Sequence, residues 1–209
     1  MPILYHSPHS RSSRVITQLL LMGKLEEVEV ICVGVVKNDG SGRKDPRNAH
    51  PEGKVPYLVT DDGQHVRESA AIMMYLEEQF GQPLSPKPGD AQRGPYLSWM
   101  SYYGSVLEPV LVAGFAGLYH PALTGTFRTM AEVSAQLERG LAGKPFLLGE
   151  TFSVADLLMA SPFQWAPDFL PDSPEIKAWV GRVAAKLEGL GLEQFDAKAQ
   201  ASLAAAEPA

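Results

Sequence analysis

The chain has 209 residues, of which 45% are hydrophobic and 20% are charged, as in ordinary globular proteins. Its formal net charge of −6 and its lack of a basic cluster with interleaved aromatics argue against nucleic acid or acidic membranes as partners. The single cysteine, Cys32, cannot form an internal disulfide, no secretory signal is visible and no apolar run approaches the ~20 residues of a membrane span, so we expect a cytoplasmic protein.

The first part of the chain, residues 1–80, carries alternating strand and helix signals. They predict a strand at 3–5, a helix from 15 to a terminal Gly23, a strand at 28–32, a loop from Asn38 to 48, a hairpin of strands 56–59 and 64–67, and a helix capped by Ser69. This order is that of an α/β thioredoxin-like domain. Because the chain has no Cys-x-x-Cys pair, disulfide exchange by a dithiol is excluded.

The rest of the chain predicts a linker and an all-α domain. Residues 81–90 are rich in proline and form the expected linker, and residues 91–209 show helical periodicity without strand signals. One predicted helix has apolar residues at Phe127, Met130 and the positions that follow, and another begins with the capping box Ser153-x-x-Asp156. The alanine-rich tail after Asp196 is expected to fray.

Two short motifs in the first domain indicate a ligand site. Val55-Pro56 precedes an apolar strand, where a cis peptide bond would leave the backbone of Val55 without a sheet partner and free to bind a ligand. Glu68-Ser69 ends a strand and opens a helix, whose first N–H groups can hold an anion. Exposed backbone at one corner, with a carboxylate and an anion site at the next, suits a small zwitterionic peptide.

These motifs, at this separation, resemble the cytosolic glutathione transferase family, and the resemblance extends over essentially the whole chain. It implies a cis bond at Val55-Pro56, with the backbone of Val55 pairing with the cysteinyl part of glutathione. It implies that Glu68 and Ser69 hold the γ-glutamyl end and that Lys54 reaches the glycyl carboxylate. It also implies glutathione as co-substrate and a homodimer with two-fold symmetry. The five histidines show no metal-ligand spacing, so they are expected to be scattered surface or loop residues and no metal is expected.

Glutathione chemistry needs a thiolate, and lowering a thiol pKa of ~8.5 by about two units takes about 2.7 kcal/mol. A hydroxyl donor and a helix N-terminus can supply this stabilisation. In the serine-using classes of the family the hydroxyl lies shortly before an Arg-Val pair, here residues 14–15, which matches Ser10 best and Ser12 second. Tyr5, Ser13 or no hydroxyl donor remain open, and because Ser12 or Ser13 is expected to cap the helix, Ser10 is favoured.

The second substrate is expected to be a small hydrophobic electrophile, with Trp99 and Tyr103 as candidates for its pocket. Aromatic residues at helical spacing are more often core than pocket, so this alternative stays open. The resemblance implies an enzyme that conjugates glutathione to the electrophile. A transferase-like protein that binds glutathione without turnover, and a glutathione-dependent isomerase or dehalogenase, are the alternatives. No glutathione contact is predicted from residues 34–49, where apolar residues are few.

Overall fold

The computed structural model describes residues 1–37 and 39–206. Its N-terminal part contains a four-stranded sheet in the order β2-β1-β3-β4, with β1 parallel to β2 and antiparallel to β3, and β3 antiparallel to β4. The strands and helices are β1 (Ile3–His6), α1 (Ser13–Met22), β2 (Glu29–Cys32), β3 (Tyr57–Val59), β4 (His65–Val66) and α2 (Ser69–Gln79). The predicted thioredoxin-like order is therefore confirmed.

Helix α1 forms where its apolar spacing predicts. Val15, Ile16 and Leu19 are fully buried along one side of it. Gly23 follows the last helical residue with φ of 64° and donates its N–H to Leu20 O at 3.1 Å, so a glycine is favoured at this left-handed position. The helix end predicted from the sequence is thus confirmed.

The segment between β2 and β3 contains turns, and none of its described residues belongs to a helix. Asp45 ties this segment to itself, because its Oδ2 accepts from Gly34 N at 3.1 Å and from Arg47 Nη2 at 2.6 Å. The predicted loop begins at Asn38, which lies outside the described residues.

The second part of the chain is helical, as predicted. Its helices are α3 (Arg93–Tyr102), α4 (Glu108–Phe115), α5 (Pro121–Phe127), α6 (Met130–Leu141), α7 (Val154–Trp165) and α8 (Pro174–Leu187), with a π-helical turn (Tyr103–Leu107) between α3 and α4. The capping box of α7 is confirmed, since Asp156 Oδ2 accepts from the N–H and the hydroxyl of Ser153, both at 2.9 Å. The predicted run of one helix through Phe127 and Met130 is wrong, because Arg128 has φ of 84° and Thr129 starts a new capping box.

Contacts divide the chain into two compact units. The first contains Met1–Gly81 together with the residues from Gly189 onward, and the second is Gln82–Glu188. The last helix, α9 (Leu192–Ala206), packs against α1 and β2, so the C-terminal end of the expected domain 91–209 clusters with the first unit. The described residues after Asp196, which were expected to fray, continue α9 as far as Ala206. Among the described residues, no helix has the length and apolarity needed to cross a membrane.

Candidate functional site

The strand register brings the predicted site segments to one end of the sheet. Tyr5 of β1 pairs with Tyr57 of β3, and Leu58 of β3 pairs with Val66 of β4, both antiparallel. Strand β1 therefore runs toward the end at which β3 starts, and β4 returns to that same end. The loop after β1, the residues before β3 and the residues after β4 leave the sheet side by side.

Val55 and Pro56 stand immediately before β3. Their peptide bond is cis, and Val55 packs against a core cluster that contains Tyr5 and Tyr57. Within the part of the chain that the structure describes, no hydrogen bond engages the backbone of Val55. Both geometric expectations, the cis bond and the unpaired backbone, are confirmed.

Lys54, which precedes this bond, is held through its backbone. Its carbonyl oxygen accepts from Asn48 Nδ2 at 3.1 Å, while its side chain is exposed. Among the described residues no carboxylate pairs with the Lys54 ammonium. The cation is therefore free to bind an anionic ligand.

Glu68 and Ser69 join β4 to α2 through an unusual backbone. Glu68 has φ of 70° and ψ of 128°, a region that residues with a side chain rarely adopt and that often marks a functional constraint. Its carbonyl oxygen accepts the first helical bond, from Ile72 N at 3.0 Å, so Glu68 is the cap and the predicted capping role of Ser69 is wrong. In the described structure neither the Glu68 carboxylate nor the Ser69 hydroxyl has a hydrogen-bond partner, and both are available to a ligand.

Ser10 lies in the loop between β1 and α1 and is partly exposed. Its Oγ lies 2.7 Å from Ser7 O and 2.7 Å from Ser12 Oγ, and it accepts from Ser12 N at 3.2 Å. The loop therefore fixes the hydroxyl just before the N-terminus of α1, where the helix dipole favours a negative charge.

Ser12 is at the cap position of α1, but its hydroxyl does not cap the helix. It is completely buried and lies 2.8 Å from His6 Nδ1, while it accepts from Ser7 N at 3.0 Å. The two other hydroxyls that the sequence leaves open as thiolate donors, those of Ser13 and Tyr5, also have other roles in the structure. Ser13 Oγ donates to Asp196 Oδ2 at 3.0 Å, and Tyr5 belongs to the core of the sheet with 8% of its surface exposed.

Asp196 of α9 anchors this loop and was missed by sequence reasoning. Its Oδ1 accepts from His6 Nε2 at 3.0 Å, and its Oδ2 accepts from His9 N and Ser13 Oγ, each at 3.0 Å. Burial acts to raise the pKa of Asp196, but hydrogen bonds from His6 and from the His9 N–H bring that pKa below its usual range. No local pattern signals this contact, because His6 and Asp196 are 190 positions apart.

The two aromatic candidates for the second-substrate pocket lie in the core of the helical unit. Trp99 is 7% exposed and Tyr103 is 3% exposed, and the Trp99 ring contacts Tyr102 edge-on with centroids 5.7 Å apart. Trp99 also closes tightly over Gly140 of α6. Neither side chain offers a substrate much surface, so the core role that the sequence left open describes them better.

Two further groups bear on possible chemistry. Cys32 is a free thiol whose pKa is raised by burial and by the nearby Asp196 carboxylate, which makes it a poor nucleophile. Within residues 1–37 and 39–206, no three side chains of His, Cys, Asp or Glu come together as a metal site. The available chemistry is therefore that of hydroxyls, backbone groups and charges at the end of the sheet.

Comparison with known proteins gives matches over both units. The family model described as "Glutathione S-transferase, N-terminal domain" matches residues 4–84, and the one described as "Glutathione S-transferase, C-terminal domain" matches residues 121–186. Glutathione S-transferase PM239X14 from Arabidopsis thaliana is 30% identical over 173 residues, which cover 73% of this chain and 78% of that protein. Glutathione S-transferase GstA from Escherichia coli O157:H7 is 26% identical over 172 residues, which cover 78% of this chain and 81% of that protein.

A solved structure extends the likeness to three dimensions. A sphingomonad glutathione S-transferase complexed with glutathione is 29% identical, with a TM-score of 0.67 over 91% of this chain and 99% of that chain. The two chains therefore share the arrangement of a small mixed sheet followed by helices.

Proposed function

Because this chain belongs to the glutathione S-transferase family, we propose that it binds reduced glutathione beside β1, β3 and β4 and conjugates it to small apolar electrophiles. The observation that carries this proposal is the convergence of ligand-binding groups at one end of the sheet. The Val55 backbone without a hydrogen-bond partner, the start of α2 at Ser69 and the partly exposed Ser10 hydroxyl lie on neighbouring segments there.

The charges of glutathione match the groups available. The backbone of Val55 can pair with the peptide unit of the cysteinyl residue, as an added strand pairs with a sheet edge. The first N–H groups of α2 and the Ser69 hydroxyl suit the γ-glutamyl carboxylate, and the Glu68 carboxylate suits the amine beside it. The exposed Lys54 ammonium suits the glycyl carboxylate.

Ser10 is our proposed donor to the sulfur. It is the partly exposed hydroxyl of the loop before α1, whereas Ser12 is buried and Ser13 donates to Asp196. A hydrogen bond from Ser10 and the N-terminal dipole of α1 would both favour the thiolate over the thiol. The electrophile then reacts with a sulfur that is already oriented and ionised, so the protein supplies position and electrostatics.

The test combines titration calorimetry with glutathione and conjugation of chloro-dinitrobenzene, for the wild type and for Ser10→Ala. A hydrogen bond to a charged group contributes roughly 1.5–3 kcal/mol, so kcat/KM should fall about 10- to 100-fold while the affinity for glutathione changes much less. The matched control is Ser202→Ala, which removes an exposed hydroxyl whose partner is Lys198 O of the same helix. It should leave both measurements unchanged.

Each other outcome points to a different assignment. If turnover survives in Ser10→Ala, the donor role moves to Ser12. If the wild type binds glutathione but conjugates neither this electrophile nor a broader panel, the protein is a glutathione-binding member without turnover. If the panel is inert but an isomerase or dehalogenase substrate reacts, the same site serves that chemistry. Absence of glutathione binding would refute the proposal.

The remaining proposals concern the setting of the activity. We propose a homodimer, which light scattering of the purified protein would check, and a cytoplasmic location, which the single Cys32 thiol favours. The negative formal charge of −6 supports a protein whose partners include neither nucleic acid nor an acidic membrane.

A further inference from the structure

A buried chain of hydrogen bonds leads away from the proposed sulfur site. Ser10 Oγ lies 2.7 Å from Ser12 Oγ, Ser12 Oγ lies 2.8 Å from His6 Nδ1, and His6 Nε2 lies 3.0 Å from Asp196 Oδ1. Ser12 and His6 have no exposed surface and Asp196 is 2% exposed, while Ser10 is partly exposed. The chain thus connects a surface hydroxyl to a buried imidazole and carboxylate.

The protons along this chain follow from what each atom can donate. The Asp196 carboxylate only accepts, so His6 Nε2 carries a proton and donates it. In the uncharged ring Nδ1 is then an acceptor, and the Ser12 hydroxyl donates to it at 2.8 Å, with Ser7 O at 3.2 Å as the competing acceptor. Ser12 Oγ in turn accepts the proton of Ser10, for which Ser7 O at 2.7 Å is the competing acceptor. In this state the Ser10 proton points inward and its oxygen lone pair can accept from an arriving thiol.

The hydrogen bonds between Ser10, Ser12 and His6 can also all form with donor and acceptor exchanged. If His6 carries a proton at Nδ1 as well, that N–H donates to Ser12 Oγ, and the Ser12 hydroxyl donates to Ser10 Oγ. The Ser10 proton is then free to point outward at a sulfur anion. In both states each hydrogen bond contains one proton. The two states therefore differ by a single proton, which is added at the ring of His6.

We propose that Ser10, Ser12 and His6 form a relay that moves the proton of the glutathione thiol to His6 when the thiolate forms. This rests on the proposed function, that glutathione binds beside Ser10. The S–H bond breaks as an O–H bond forms at Ser10, the Ser10 proton passes to Ser12, and the Ser12 proton passes to Nδ1 of His6. The products are a thiolate that accepts from Ser10 and an imidazolium beside the Asp196 carboxylate. No other reactant is needed.

The groups around His6 suit one positive charge. From α9 it faces the Asp196 carboxylate and the ring of Phe195, whose centroid lies 5.6 Å from that of His6. Across the sheet it pairs with Cys32 of β2, whose raised thiol pKa keeps that group uncharged at neutral pH. His9, on the loop, is exposed and its Nδ1 lies 3.8 Å from Asp196 Oδ2. The nearest charge is therefore a carboxylate, which stabilises an imidazolium.

The alternative is that the same contacts only hold the loop in place. Both roles would make His6 and Ser12 matter for turnover, so a loss of activity does not separate them. They differ in where the thiol proton goes. A relay keeps it within the protein, whereas a loop anchor leaves it to be released into the buffer.

The test counts protons released when glutathione binds the wild type at neutral pH. Calorimetry in buffers of different ionisation enthalpy gives the protons released per glutathione bound, and ultraviolet absorbance gives the fraction present as thiolate. Ser10→Ala supplies the baseline for binding without thiolate formation. We expect the wild type to form thiolate while it releases no more protons than this baseline.

Two variants that break the relay at different links should release the proton. In Ser12→Ala and in His6→Gln, whose folding is checked by circular dichroism, about one proton should appear in the buffer per thiolate formed. A wild type that releases a full proton per thiolate would overturn the relay and leave the proposed function intact. A wild type that binds no glutathione would overturn both proposals. A wild type that forms no thiolate at any pH up to the thiol pKa of free glutathione would do the same.

Discussion

Replacing Gly140 of α6 by alanine tests whether Trp99 belongs to the helical core. A Cβ on Gly140 would overlap Cζ2 of Trp99 and lie 3.1 Å from its Cη2, well inside van der Waals contact. The Trp99 ring is 7% exposed and rigid, and Tyr102 packs against it edge-on, so it cannot turn aside as a flexible chain end would. The backbone or the ring must shift.

The magnitude follows from two opposed contributions. Gly140 is the second-last residue of α6 and has no positive φ, so alanine gains at most about 1 kcal/mol over glycine there. Overpacking a filled core costs about 1–3 kcal/mol, and a contact this short against a rigid ring belongs at the upper end. We therefore expect Gly140→Ala to destabilise the protein by about 2 kcal/mol.

Gly181→Ala in α8 is the matched control, because a Cβ there meets no atom within 4 Å. It should stabilise the protein by about 0.5–1 kcal/mol, so the two variants should differ in Tm by about 6–12 °C. Thermal unfolding followed by circular dichroism measures this difference. Equal Tm values would mean that the Trp99 ring moves freely, as a residue lining an open pocket does, and would refute its assignment to the core.

The remaining predictions concern charges and a thiol. The Arg47 side chain, by its hydrogen bonds, lowers the pKa of Asp45 to about 2, so the folded state binds this proton less readily than the unfolded chain. In urea titrations, the free energy of unfolding of the wild type should exceed that of Asp45→Asn by its full amount above about pH 4, and this difference should disappear as the pH falls toward 2. A difference that stays constant with pH would contradict this. Asp156→Ala should lower the free energy of unfolding by about 3 kcal/mol or more, because Trp179 Nε1 and the backbone N–H groups of Leu147 and Ser153 lose a buried acceptor; a loss under about 1 kcal/mol would contradict it. Cys32 should react with iodoacetamide slowly at pH 7 and rapidly in urea, and equal rates would show that its burial does not raise its pKa.

Local signals explain how much of the first unit could be predicted. Helix α1 ends at Gly23, whose preference for a left-handed backbone can be read from the sequence alone. The cis bond before Pro56 and the capping box at Ser153 are also short-range features, legible within a few positions. Most features whose cause lies within a few positions are therefore predicted correctly, although the predicted helix through Phe127 and Met130 overlooks the local capping box that starts at Thr129.

Other features of the structure are not determined by local propensity. Ser69 was predicted to cap α2 because serine is a good cap, but Glu68 occupies that position with a positive φ that no local propensity favours. Trp99 and Gly140 are on different helices, so their close contact leaves no mark on either segment. The same holds for His6, which reads as a scattered histidine until α9 brings a carboxylate to it.

Helix α9 also explains why the loop before α1 can be both fixed and reactive. A buried carboxylate is costly unless it is hydrogen-bonded, and Asp196 meets this need with donors from His6, the His9 backbone and Ser13. These bonds fix the loop on either side of Ser10 and so hold the position of its hydroxyl oxygen. Because one of these donors is the imidazole of His6, it can also accept a proton, and the positive charge then formed is paired with the Asp196 carboxylate. In the proposed relay, positioning of Ser10 and storage of the thiol proton would therefore both follow from a single buried group, with no residue beyond those that already hold the loop.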